Sequence, residues 1–181
     1  MDEATRRHWY NPSSLHRPGQ EARHAVELAR REIAELLGAR PREIIFTSSG
    51  TEALDLSIRG ALAACDKAAL VTNMGEHAAV RKLAERIEGE GRTVRYLPLD
   101  RQGVVEVDAL ADLLTPGDVA MVSVQWANNE TGAIQPIEKI GEICREAGVI
   151  YHTDGTQWVG KLPPSVRSLP MFRRSRWISA A

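Results

Sequence analysis

Gly148-Val149-Ile150-Tyr151-His152-Thr153-Asp154-Gly155-Thr156-Gln157 decides how the rest of the chain is read. Its short apolar, β-branched start reads as a buried strand. Polar residues follow where that strand would end, and in an α/β sheet the carboxyl ends of the strands are where ligands bind. A lone carboxylate after a strand is an ordinary helix N-cap. Asp154 also suits a different task, because other strand ends of this chain carry polar groups too.

Working back toward the N-terminus, Gly148 closes a helix expected over about 137–147, which Pro136 opens. Before it, a strongly apolar strand at 119–124 runs into Gln125-Trp126-Ala127-Asn128-Asn129-Glu130-Thr131-Gly132. An Asx-turn accounts for one of those asparagines but poorly for the whole polar cluster. A short helix over 108–114 with Asp108 as its cap, a turn at 100–103 and a strand at 93–97 come before that. His77 stands just past a strand at 67–72, at the start of a helix running to about 88. There it can cap the helix, or stack on a flat ring and move protons near neutral pH.

Glu43-Ile44-Ile45-Phe46-Thr47 reads as a further strand, followed by Ser48-Ser49-Gly50-Thr51-Glu52 and a helix to about 64. Leu54, Ile58, Ala61 and Leu62 form its inward stripe. Free N–H groups at a helix start, hydroxyls and a glycine that lets the backbone approach suit a phosphate. Hydroxyl capping with Gly50 as the turn residue fits the same residues. The glycine spacing is neither the dinucleotide fingerprint nor a Walker loop. Upstream, a long helix is expected over about 20–37, with Val26, Ala29, Ile33 and Leu36 inward and Gly38 after its end. Residues 1–17 read as an irregular segment with the loop Trp9-Tyr10-Asn11-Pro12.

Strands alternating with crossover-length helices predict an α/β fold, a mostly parallel sheet with helices on both faces. The chain has 181 residues and a formal net charge of -1, enough for one medium domain and no basis for a nucleic-acid or membrane partner. Cys65 and Cys144 lack metal-ligand spacing and are expected to be buried thiols, and no metal site is expected. Without a long apolar run or a signal segment, a cytoplasmic location is the default. Asp154 then looks like the anionic partner of a cationic ring nitrogen, which a pyridinium cofactor needs to act as an electron sink.

Taken together, Asn11-Pro12-Ser13-Ser14-Leu15-His16, Phe46-Thr47-Ser48, Gly50-Thr51-Glu52, Glu76-His77, Asn128-Asn129-Glu130-Thr131-Gly132 and His152-Thr153-Asp154-Gly155-Thr156-Gln157 resemble the cysteine desulfurases. These are pyridoxal-phosphate enzymes of the class V aminotransferase group, and the likeness covers nearly all of residues 10–169. It implies the large domain of a fold type I enzyme, in part, over residues 18–170. It also implies a cofactor site in which Gly50 and Thr51 hold the phosphate. His77 would stack on the ring and assist proton transfer, Asn129 and Gln157 would contact the phenolic oxygen, and Asp154 would pair with the ring nitrogen. The family takes sulfur from L-cysteine, leaves alanine, and passes a persulfide to a sulfur-acceptor protein for iron–sulfur cluster or thio-cofactor assembly. Its members are homodimers.

Departures from the pattern bound that expectation. Ser49 stands where the family usually has Gly, and Leu54-Asp55 where it usually has Asp-Asn. After Leu169-Pro170 the family continues to a Ser-Gly-His-Lys motif whose Lys is the Schiff-base residue. Here residues 171–181 form an aberrant, arginine-rich tail instead, as in a truncated or frame-shifted member. Lys161 belongs to a separate family element, and the loop with the sulfur-accepting Cys is missing too. Covalent cofactor attachment is therefore not expected, and the chain is expected to be inactive alone. Alternatives are another member of the group (a selenocysteine lyase, an epimerase or an aminotransferase), a non-catalytic interaction subunit that pairs with a full-length relative, or a remnant without a role.

Overall fold

Leu70, Met121 and Ile150 stand in register on three adjacent parallel strands. They belong to β1 (Ala69–Thr72), β3 (Val119–Ser123) and β4 (Ile150–Asp154). A computed structural model describes residues 2–161 and 176–179. With β2 (Val94–Tyr96) and β5 (Arg176–Ser179), the strands form a five-stranded parallel sheet in the order β2-β1-β3-β4-β5. The apolar row is covered by α3 (Gly50–Ala63) and α4 (Ala78–Gly89), whose Leu54, Ile58, Ala61, Leu62, Val80, Leu83 and Ile87 join Leu70 and Met121 in one buried cluster. Alternate residues Val71, Val122 and Tyr151 point to the other face and are buried as well. Near them lie Cys144 and Ile140 of α6 (Ile137–Glu146), the helix that touches β4. Both faces are therefore covered, which explains why these strands read as continuous apolar runs.

Along the first face the side chains become polar toward the carboxyl ends of the strands. One pleat after Met121 and Ile150 come Ser123 and His152, and two residues further on come Gln125 and Asp154. Trp126 N–H donates to the Asp154 carbonyl at 2.9 Å, so the two chains stay side by side past the sheet's end. The Arg95 guanidinium grips the Asp118 carboxylate through two nitrogens, at 2.8 and 2.7 Å, and ties β2 to the start of β3.

The chain divides into two compact units, one built by residues up to Phe46 and one beginning at Thr47. In the first, α2 runs from Arg17 to Leu37, three residues earlier than the spacing predicts, because His16 Nδ1 accepts the Gly19 N–H at 3.1 Å. Gly38 follows at φ 66°, the left-handed stop that its position suggested.

Several expectations are corrected. Residues 1–17 are not wholly irregular, since α1 spans Asp2–Arg7. Residues 43–47 do not join the sheet. A 3-10 turn occupies Pro41–Glu43, Ile44 is extended but unpaired with a strand, and Arg30 lies over the Phe46 ring at 4.7 Å. Extended backbone with an apolar pattern looks the same in sequence whether or not a neighbouring strand exists. The stripe of α2 is not inward: Val26, Ile33 and Leu36 are 39%, 36% and 50% exposed, and Ala22 and Ala34 are buried instead. Helix α5 (Asp108–Leu114) has Val107 at its cap position, with Asp108 already in the first turn. Cys65 lies past the end of α3 and is only partly buried, whereas Cys144 is buried as expected. Of the tail at 171–181, residues 176–179 form β5, and the remainder lies outside the described residues.

Candidate functional site

A cavity of about 240 Å³ opens at the carboxyl end of the sheet. It is lined by Gly50, Thr51 and Leu54 from α3, His77 after β1, Gln125, Ala127 and Asn129 after β3, and Asp154, Thr156 and Gln157 after β4. Every residue singled out from the sequence for cofactor contact therefore borders one space. Gln125, Leu54, Ala127 and Thr156 also line the cavity, and no sequence motif marked them for it.

The start of α3 shows the hydroxyl cap, with Gly50 as the first helical residue. Ser49 is its N-cap, and its hydroxyl accepts the Glu52 N–H at 3.2 Å. Glu52 in turn accepts from the N–H and hydroxyl of Ser48, which holds its carboxyl below the usual range. The capping thus uses Ser49 and leaves the amides of Gly50 and Thr51, which have no acceptor within a helix's first turn, at the cavity wall. An anion there would also meet the positive end of the helix dipole.

His77 caps α4, and its Nδ1 accepts the Ala79 N–H at 3.2 Å. That bond places the proton of the neutral ring on Nε2. Capping and cavity lining are not alternatives here, because one ring nitrogen serves the helix while the residue borders the cavity.

The two asparagines after β3 divide their work. Asn128 makes the Asx-turn, with Oδ1 accepting the N–H groups of Glu130 and Thr131 at 2.8 and 2.9 Å, and its Nδ2 donates to the Gly75 carbonyl. Gly132 completes the loop at φ 75°. That leaves Asn129 to line the cavity.

Asp154 ends β4, and its Oδ1 accepts the Thr156 N–H at 3.0 Å, a local turn rather than a helix cap. Beneath it His152 is fully buried beside Ser123, and burial pushes its ring down to about 4. Gln157 Oε1 accepts from Lys161 Nζ, so the Gln157 amide keeps its N–H groups as donors. Trp158 stacks on Trp126 with ring centres 4.7 Å apart and bounds the neighbouring turn.

Among the described residues no lysine lines the cavity, and neither cysteine does. Burial pushes the Cys144 thiol up to about 12. Among the described residues no cluster of His, Cys, Asp or Glu could hold a metal ion, and no helix is long and apolar enough to cross a membrane.

Residues 1–172 match the family model of the class-V aminotransferases. The chain is 45% identical over 159 residues to cysteine desulfurase 2 of Trichormus variabilis, covering 87% of this chain and 40% of that protein. It is also 45% identical over 162 residues to cysteine desulfurase IscS of Serratia proteamaculans, covering 88% and 40%. The chain thus spans 40% of the length of these relatives. A solved NifS-like protein superposes with a TM-score of 0.87 at 34% identity, over 92% of this chain and 47% of that one. A second, described as SspA in complex with cysteine, gives 0.83 at 32% identity, over 90% and 47%.

Proposed function

The chain belongs to the class-V aminotransferases, with the sheet and flanking helices of a fold type I pyridoxal-phosphate enzyme, and from that premise we propose that its cavity is a pyridoxal-phosphate site of the cysteine-desulfurase kind. One observation carries the proposal: Gly50, Thr51, His77, Asn129, Asp154 and Gln157, spread over the chain, border one space at the strand ends. The donor set fits the cofactor. Gly50 and Thr51 offer amides at a helix start for a phosphate. Asp154 offers a carboxylate that keeps a ring nitrogen protonated, since opposite charge favours the charged form. Asn129 and the Gln157 amide offer donors to a phenolic oxygen, and His77 can stack on the ring and move a proton at Nε2.

When bound, pyridoxal phosphate supplies an electron sink for bonds at the substrate's α-carbon. In this reading the substrate class is L-cysteine and the downstream partner a sulfur acceptor, in the cytoplasm. What the chain contributes by itself is binding and orientation. Turnover also needs an amine that holds the cofactor and shuttles the α-proton, and a thiolate that takes the sulfur. Lys161 donates to Gln157 Oε1 without bordering the cavity, and Cys144 is buried with its thiol pushed up, so in this reading neither supplies those groups.

Isothermal titration of the chain with pyridoxal phosphate tests this. Saturable one-to-one binding, weakened at least about tenfold by Asp154→Ala, is expected, in line with loss of a charge-assisted contact. Binding that is absent, or equal in Asp154→Ala, contradicts the site.

A further inference from the structure

Glu76 precedes His77 in the loop between β1 and α4 and is only 3% exposed. A buried carboxyl without a cation is costly and calls for a reason. Its Oε1 accepts the backbone N–H of Gln125 at 2.6 Å and the Asn73 amide at 3.2 Å. Its Oε2 is buried and has no partner among the described residues. The adjacent Gly75 carbonyl accepts from the side chains of both Gln125 and Asn128. The loop carrying His77 is thereby sewn to the loop leaving β3. A side chain at position 75 would meet Asn73 Oδ1 at 3.0 Å and Leu99 at 3.2 Å, so the crossing is also close-fitted.

We propose that Glu76 is a positioning residue of the cavity, fastening the His77 loop to the end of β3 and so setting where His77 and Gln125 stand across the cavity. Only the ligand's identity rests on the cofactor reading; the clamp itself does not. Burial pushes the Glu76 carboxyl up to about 8, with Asp154 adding to the shift while the Gln125 and Asn73 bonds oppose it. Tyr151 on β4 is the other ionisable group that feels it. The carboxyl is therefore neutral at pH 7. A glutamine keeps the accepting oxygen and matches that neutral form, whereas an alanine loses the acceptor.

Hydrogen exchange of the cofactor-free chain at pH 6.5 reads the clamp at the Gln125 amide, with the Val122 amide in the middle of β3 as reference. Glu76→Ala is expected to lower Gln125 protection at least about tenfold relative to Val122, the size of one lost hydrogen bond, and Glu76→Gln to retain it. Pyridoxal-phosphate affinity should fall in parallel in Glu76→Ala and be rescued in Glu76→Gln. If Glu76→Ala does not fold, Glu76→Gln carries the test through its pH profile. Its exchange and affinity should match the parent at pH 6.5 and diverge from it by pH 9, where the parent carboxyl is charged. Gln125 and Val122 losing protection equally, Glu76→Gln failing like Glu76→Ala, or parent and Glu76→Gln staying parallel to pH 9, each overturns the proposal. A chain that binds no pyridoxal phosphate yet shows the Gln125 pattern refutes the cofactor reading and leaves the clamp standing.

Discussion

Ser123 Oγ and His152 Nδ1 meet at 2.9 Å across the β3–β4 pair, with both side chains fully buried. The imidazole lies one pleat below Asp154, and burial rather than that carboxylate dominates its titration, taking the ring from 6.5 down to about 4. The neutral ring is the folded form. Between pH 6.5 and about 4 the unfolded chain binds the proton that the folded chain refuses. Stability therefore falls as pH drops through that window, by up to about 3 kcal/mol. Glu76 acts in the opposite sense: with its folded value near 8 against 4.5, the folded chain keeps a proton that the unfolded chain loses. Its contribution is present below pH 4.5 and lost as pH rises to about 8, by up to about 5 kcal/mol. Urea unfolding from pH 4 to 9 separates the two. Between pH 4.5 and 6.5 the two oppose each other, so His152→Asn should unmask a fall of stability with rising pH there, whereas Glu76→Gln should unmask a rise and flatten the curve from 6.5 to 8; curves parallel to the parent would contradict both assignments.

If the cavity takes pyridoxal phosphate as proposed, it should hold it without a covalent link, because no lysine lines the cavity among the described residues. Borohydride treatment of the cofactor-loaded chain, followed by intact mass, should leave the mass unchanged. A stoichiometric adduct on one lysine, Lys161 above all, would show that an amine does reach the ring.

Ile58 is fully buried in the cluster beneath the cavity, on the helix whose first turn borders it. Ile58→Ala should cost about 2–5 kcal/mol in denaturant unfolding. A cost below about 1 kcal/mol would mean that α3 is not seated on the sheet as described.

Helix α2 presents Val26, Leu28, Ile33 and Leu36 to solvent, and Ile45 and Phe46 are exposed further on. Apolar patches of this kind favour association. Sedimentation at increasing concentration should show self-association that Ile33→Glu with Leu36→Lys reduces. A compact monomer throughout, with or without those substitutions, would contradict the expectation.

The parts of the fold that were legible are those where a periodic pattern meets a partner that the same pattern implies. The α3 stripe of Leu54, Ile58, Ala61 and Leu62 is buried as its spacing required. Strands β1, β3 and β4 are apolar because both faces are covered. The α2 stripe has equally good spacing, but periodicity says which residues share a face and not whether anything covers it. Residues 43–47 failed for the same reason, as extended backbone needs a neighbour to become a strand. At the site, the residues singled out through family motifs all border the cavity. The division between Asn128 and Asn129 was not legible, because adjacent amides differ only by which one the turn consumes. Glu76 stayed hidden because its meaning comes from Gln125, 49 residues away on another strand end.

On the proposed reading, the cavity residues bind and orient the cofactor, and among the described residues no lysine or cysteine borders the cavity to complete the chemistry. Alanine and sulfide release from L-cysteine, with added pyridoxal phosphate and a thiol reductant, tests it against cofactor alone. The expected result is no saturable rate above that background, in the parent chain and in Asp154→Ala alike. Saturable alanine formation well above background, abolished by Asp154→Ala, would contradict it.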